Sequence, residues 1–216
     1  MSNLVMAFEE KINQIEKQIL AYPFENKEMY CRWLNQQYFL VENSTRYLAL
    51  SASKVDTKDR AEFKSWVHHL SEELDHDALV LHDLKKLNYQ FDDTLNPFTR
   101  AIVSTQYYDI EKNGPNALLG YALMLEGLSC RVCQILADRV EKVFGRGTAT
   151  YLRLHATVDL EHFPEGMKKI ASLDTTQELI VLRNLETMSA LYSALLASLV
   201  SFVDLGKQTD QFSEVY

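Results

Sequence analysis

The chain has 216 residues, a formal net charge of −8, 47% apolar and 24% charged residues. That composition is too apolar for a disordered protein and ample for one closed core. The acidic balance, with no clustered Lys/Arg stripe, excludes nucleic acid as the main partner and disfavours anionic membrane surfaces. Seven Gly and four Pro, widely spaced, favour long helices over many short strands, so the expected class is all-α in a single domain over residues 1–216.

The first helix is expected from Asn3 to Ala21, where Leu4, Phe8, Ile12, Ile15 and Ile19 recur at spacings of three or four before Pro23 ends it. A second, from Lys27 to about Ala52, is rich in aromatic and apolar residues and must be deeply buried. The third runs from Thr57 or Asp59 to about Leu87. The fourth starts at Pro97, a residue suited to the first helical position, and ends at Asn113, where Asn-Gly-Pro breaks the pattern. The fifth, Pro115 to Phe144, is apolar nearly all round in its first half and stops at Gly145 and Gly147. A sixth begins near Thr148 and carries YLRLHATVDLEHF, with Pro164 as a kink or break and a resumption to Leu173. A seventh covers Thr176 to Asp204, and the tail QTDQFSEVY is expected to fray.

The opening MSNLVMAFEEKINQ turns acidic early and lacks the pattern of a secretory signal. No apolar run approaches the ~20 residues that span a bilayer, so a cytoplasmic protein with no membrane contact is expected. Cys31, Cys130 and Cys133 suit a reducing compartment. Cys130-x-x-Cys133 lies within a helical pattern without a βαβ unit or a second pair for zinc, so packing is its expected role.

One polar pattern occurs twice in these helices: a lone Glu, then on the next helix a carboxylate followed three residues later by His. Glu42 precedes Glu73-Leu-Asp-His76, and Glu126 precedes Asp159-Leu-Glu-His162, at nearly equal intervals. At ~100° per residue, positions i and i+3 share a helix face. Two such helix pairs form a box of oxygen and imidazole ligands for two divalent ions, iron or manganese in preference to a thiolate-seeking metal. His155, Asp159 and His162 form one stripe. His69 and Glu72 are further candidates, as ligands or as groups orienting a ligand imidazole, and Glu72 competes with Glu73. The competing reading is a pair of buried salt bridges, Arg46 serving Glu42 and Arg131 serving Glu126. It leaves the His155 stripe unexplained. Glu126 interrupts an apolar run, and a buried carboxylate without a partner is costly.

The set Glu42, Glu73-x-x-His76, Glu126 and His155-x3-Asp159-x2-His162 resembles the haem-oxygenase-like di-iron oxidases and oxygenases, relatives of the thiaminase-like (TenA-like) and pyrroloquinoline-quinone-synthase-like proteins. The chlamydial protein associating with death domains is similar in its His-x3-Asp-x2-His run. The resemblance implies a seven-helix haem-oxygenase-like bundle without haem, a ferritin-like di-iron four-helix bundle being the alternative fold. It implies two Fe ions, or Fe with Mn, held by those seven residues, and dioxygen used on an amino acid, amine or fatty acid, with an external reductant and a homodimeric state. Substrate contacts are expected from Tyr38, Trp66, His69 and Tyr121, with Arg46 or Arg131 available to a substrate carboxylate. The alternative functions are a metal-free thiaminase-like hydrolase using Cys130 or Cys133, and a non-enzymatic protein-interaction domain.

Overall fold

The structure is a computed structural model that describes residues 3–210, with side chains described for residues 3–201. Helix α1 (Asn3–Ala21) buries the stripe Leu4, Phe8, Ile12, Ile15 and Ile19 against the later helices. The chain turns through Tyr22 and Phe24 into α2 (Lys27–Lys54), whose first turn is capped by the Asn26 side chain accepting the Met29 N–H at 3.2 Å. Three consecutive amides of α2 are buried, and two of them bind the loop after residue 87. Asn35 exchanges hydrogen bonds with the Asp92 backbone, while Gln36 donates to the Thr94 carbonyl and accepts from the Asn96 N–H. These side chains take the place of a partner strand for an otherwise unpaired loop backbone.

The expected third helix is divided in two, α3 (Arg60–Glu72) and α4 (His76–Lys86), so among the described residues eight α-helices occupy the seven predicted positions. The break falls at Asp75, whose φ of 66° is left-handed and therefore not helical. Asp tolerates that region better than most residues because its short side chain bonds locally. A continuous helix would have fixed Glu73 and His76 one turn apart on one axis. The break instead gives each its own approach to the interior and leaves Leu74 between them exposed.

Helix α5 (Pro97–Asn113) starts with Pro97 behind the Asn96 cap and ends at Gly114, which adopts a φ of 91°. A 3-10 turn (Pro115–Leu118) then leads into α6 (Leu119–Phe144), which ends at Gly145 with a φ of 94°. Helix α7 (Thr150–Ile170) continues through Pro164 without a break, so of the expected kink or break the break does not occur. Helix α8 (Thr175–Asp210) extends past Asp204 into the expected frayed tail, whose last residues, 211–216, lie outside those described.

Helices α6 and α8 hold the centre. Gly120 of α6 touches the backbone of α8, and a Cβ built there would lie 2.5 Å from the Leu185 nitrogen and 2.7 Å from the Val181 carbonyl oxygen. The expectation that no segment is long and apolar enough to cross a bilayer needs correction. Pro115–Phe144 and Thr175–Ser201 both qualify by length and composition. The apolar character of the first is used in packing, since 61% of its apolar window is buried inside the fold, against 44% for the second.

Candidate metal centre

Three parts of the fold bring the candidate ligands to one place. His69 lies in the last turn of α3, Glu73 follows its C-terminus, and His76 opens α4; Glu126 lies in the first third of α6; His155, Asp159 and His162 follow one stripe of α7. In two groups, all ligating atoms lie within 4.8 Å of one another: His69, Glu73 and His162, and Glu73, His76 and His155. Glu73 belongs to both. Its Oε1 is 3.7 Å from His69 Nε2 and its Oε2 is 3.3 Å from His76 Nδ1. Glu126 Oε1 stands 3.6 Å from the same His69 nitrogen. Asp159 Oδ1 is 3.4 Å from His162 Nδ1, and Glu72 Oε2 is 3.4 Å from His162 Nε2. Both Glu72 and Glu73 therefore face imidazoles.

Electrostatics follow from this crowding. Burial pushes Glu126 up to about 7 despite the nearby His69, and Asp159 adds to the rise. Burial would also raise Glu73, but His69 and His76 beside it hold its carboxyl well below the usual carboxylate range. Asp159 raises His162 to about 9 against the opposing effect of burial.

The donors fit a metal. His76 Nδ1 and His162 Nδ1 are buried without a hydrogen-bond partner, although a carboxylate oxygen stands 3.3 Å from one and 3.4 Å from the other. Imidazole nitrogens set beside carboxylate oxygens without a hydrogen bond between them form an arrangement that a shared cation would complete. His155 is oriented differently: its Nδ1 is 3.0 Å from the Tyr151 carbonyl oxygen, which can only accept. That bond puts the proton on Nδ1 and leaves the Nε2 lone pair free for a ligand role. An imidazole and carboxylate set without thiolate suits iron or manganese.

A cavity of about 90 Å³ adjoins these groups, lined by Glu73, Glu126, His155 and Asp159 and by apolar and aromatic residues of α2, α6, α7 and α8. Among the described residues no Lys or Arg lines it. Tyr151 separates the ligands from the far wall, its ring centroid 4.4 Å from that of His155 and 6.2 Å from that of Trp33. Trp33 Nε1 and Gln37 Nε2 both donate to the Tyr192 hydroxyl, at 3.3 and 3.4 Å. A second cavity, also of about 90 Å³, is lined by His69, Glu126 and His162 and is more polar, with His68, Glu72, Glu165 and Lys169 in its wall.

The remaining sequence expectations are distributed as follows. Tyr121 and His69 line the main cavity, and Leu125 with them. Trp66 lines the second cavity, under the Lys169 ammonium at 3.7 Å. Tyr38 packs edge-on against Phe39 and Phe91 and lines neither cavity. Glu42 is not among the clustered donors. It pairs with Arg46 one turn away at 3.8 Å, which also occupies Arg46. Arg131 does not serve Glu126: five residues on, it points about 140° round the helix and is held by Glu9, Asn13 and Glu16 of α1. Cys130 donates its S–H to the Asp159 carbonyl.

Sequence reasoning missed Asp83, Gln37 and Tyr192. Asp83 is fully buried on α4 and accepts from Thr150 Oγ1 and from the Tyr151 N–H, capping α7 from outside. The one visible signal was the run of amides in the otherwise aromatic α2.

A sequence family described as an iron-containing redox enzyme matches residues 31–192, a span that includes every candidate ligand. Among solved structures, the chain is similar to a domain of unknown function with a haem oxygenase-like fold from Shewanella denitrificans, with a TM-score of 0.81, 15% identity and 94% of each chain covered. It is also similar to a TenA homologue from Pseudomonas syringae, with a TM-score of 0.75, 10% identity, 92% of this chain and 93% of that one. A TenA homologue from P. horikoshii follows at a TM-score of 0.71, 15% identity, 91% and 97%. At such identities the likeness establishes the fold. No curated protein matches the chain.

Proposed function

Because the chain belongs to the haem-oxygenase-like family of iron-containing redox enzymes, we propose that it is a non-haem di-iron oxidase or oxygenase acting on a small organic molecule. The observation that carries this reading is the pair of donor groups sharing Glu73. His69, Glu73, Glu126, Asp159 and His162 would hold one ion, and Glu73, His76 and His155 the other, with Glu72 beside His162. When bound, the iron supplies reaction with dioxygen, electrons coming from an external reductant.

The protein's own part is positional. Tyr151 fixes the His155 tautomer through its carbonyl. The carboxylates balance the charge of two divalent ions within a poorly hydrated wall. The apolar lining excludes water from the reacting centre and holds the substrate beside it. A cysteine hydrolase is disfavoured by the thiols themselves: burial raises Cys130 to about 11 and Cys133 to about 12, so neither is a ready thiolate.

The test is metal content after expression in iron-supplemented medium, with oxygen uptake after anaerobic ferrous loading. Close to two irons per chain, reduced in His162→Ala and Glu126→Ala, is expected. Protein without metal or ferrous affinity would return these residues to a network of buried ion pairs.

A further inference from the structure

Helix α3 carries His69 and Glu72 and leads directly into Glu73. It packs along α2, and of its thirteen residues only Trp66 is buried. Its placement opposite α7, which holds the facing candidate ligands, therefore depends on individual side chains that cross between the two helices. Glu72 meets His162 at 3.4 Å. Farther along, the Lys169 ammonium of α7 lies over the Trp66 ring at 3.7 Å and stands 3.3 Å from Glu62 Oε1. Trp66 Nε1 donates to the same Glu62 oxygen at 3.4 Å.

Lys169, Glu62 and Trp66 satisfy one another only while α3 is seated. An ammonium shielded from water needs a carboxylate or an aromatic face, and both of these partners of Lys169 stand on α3. Trp66 is one turn before His69, and Lys169 is two turns after His162, so the cluster shares its helix faces with the two imidazoles, whose ring centroids are 4.9 Å apart. The contacts run in opposite directions along the two helices, from Trp66 with Lys169 through His69 with His162 to Glu73 with His155. We infer that Lys169 is a positioning residue: with Glu62 and Trp66 it clasps α3 to α7 and sets the spacing of His69 and His162 in one donor group. The other group, Glu73, His76 and His155, takes His76 from α4 and depends less on the clasp. The consequence for bound ions rests on the metal-centre reading, whereas the placement of α3 rests on the contacts alone.

Hydrogen–deuterium exchange of the full metal-free chain, followed by mass spectrometry, and anaerobic Co(II) titration test it in Lys169→Ala, Lys169→Arg and Glu62→Gln, with Arg131→Ala as a remote ion-pair control. Lys169→Ala should speed exchange of the α3 amides at least about tenfold while α1 and α5 stay unchanged. Lys169→Arg, which keeps a cation on the indole face, should restore slow exchange, and Arg131→Ala should leave α3 as in the wild type. In the titration, one of two cobalt ions should bind Lys169→Ala at least about tenfold more weakly and the other within about twofold of the wild type, with both recovered in Lys169→Arg. Glu62→Gln acts from the α3 side and should move exchange and cobalt affinity in the same direction, which keeps the test open if Lys169→Ala does not fold. Unchanged α3 exchange in Lys169→Ala and Glu62→Gln, equal weakening of both ions, or the same change in Arg131→Ala would overturn the inference. A wild type that takes up no cobalt would count against the metal centre alone, because exchange in the metal-free protein still decides whether the clasp holds α3.

Discussion

The Asp83 carboxylate on α4 accepts the Tyr151 N–H at 3.0 Å, and the Tyr151 carbonyl in turn lies 3.0 Å from His155 Nδ1. A residue outside α7 thus caps its first turn, which has no side-chain cap of its own, and one turn later the same helix holds a candidate ligand. A carboxylate at a helix N-terminus is also favoured by the helix dipole. Asp83→Ala should cost about 2 kcal/mol in urea unfolding, and Asp83→Asn, which keeps an acceptor, about half as much. Equal losses in the two variants would mean that the cap is not the source of the effect.

Glu42 and Glu73 have the same residue type and different surroundings. Glu42→Ala should leave metal content unchanged, because its carboxylate is turned to Arg46. Glu73→Ala should lower the content at both positions, because each donor group includes it. Metal analysis of the purified variants separates them, and a loss in Glu42→Ala comparable with that in Glu73→Ala would contradict the geometry.

Sequence periodicity placed most helix ends within a few residues, because capping residues such as Asn96-Pro97 and terminal glycines act locally. The stripe of His155, Asp159 and His162 was legible for the same reason: one helix fixes all three. Glu42 and Glu126 looked alike, each a lone acid among apolar neighbours, and only packing decides which face of a helix turns inward. The break at Asp75 was not legible, since a left-handed aspartate costs little and the surrounding SEELDHD run fits a solvated helix face equally well. Asp83 and Tyr192 act on residues distant in sequence, and no local pattern announces such partners.

In protein stripped of metal by a chelator, stability should fall as pH rises. Glu126 is held at about 7 against an ordinary 4.5, and His162 at about 9 against 6.5, so the folded state binds protons that the unfolded chain releases. The Glu126 contribution is complete below 4.5 and lost by about 7; that of His162 is complete below 6.5 and lost by about 9. Glu73, with a depressed carboxyl, works in the opposite sense and removes stability under acid conditions. Melting temperatures should therefore decline between pH 5 and pH 9, less steeply in Glu126→Gln. A flat profile in the stripped wild type would mean that the cluster relaxes when emptied.

Burial raises Cys31 and Cys133 to about 12 and Cys130 to about 11. At pH 8 iodoacetamide should label the native protein at least about 100-fold more slowly than the urea-unfolded chain, since the thiolate is the reactive form. Rapid labelling of Cys130 or Cys133 by mass spectrometry would revive the hydrolase alternative.

Gly120→Ala should destabilise by about 3 kcal/mol or force α6 and α8 apart, because the added carbon meets backbone atoms of α8, which cannot rotate away as a side chain can. Thermal melts check this against an alanine substitution at exposed Ser201 as control.

That contact divides the labour within one helix. Gly120 lets α6 approach α8 closely at the Leu185 nitrogen, the Val181 carbonyl and the Asn184 side chain, while its neighbours Tyr121 and Ala122 line the cavity. The closest approach of the two helices therefore lies outside the pocket wall. Replacing wall residues can retune which molecule is admitted without renegotiating how the two central helices meet, so this bundle is a scaffold on which selectivity can be rewritten piecemeal.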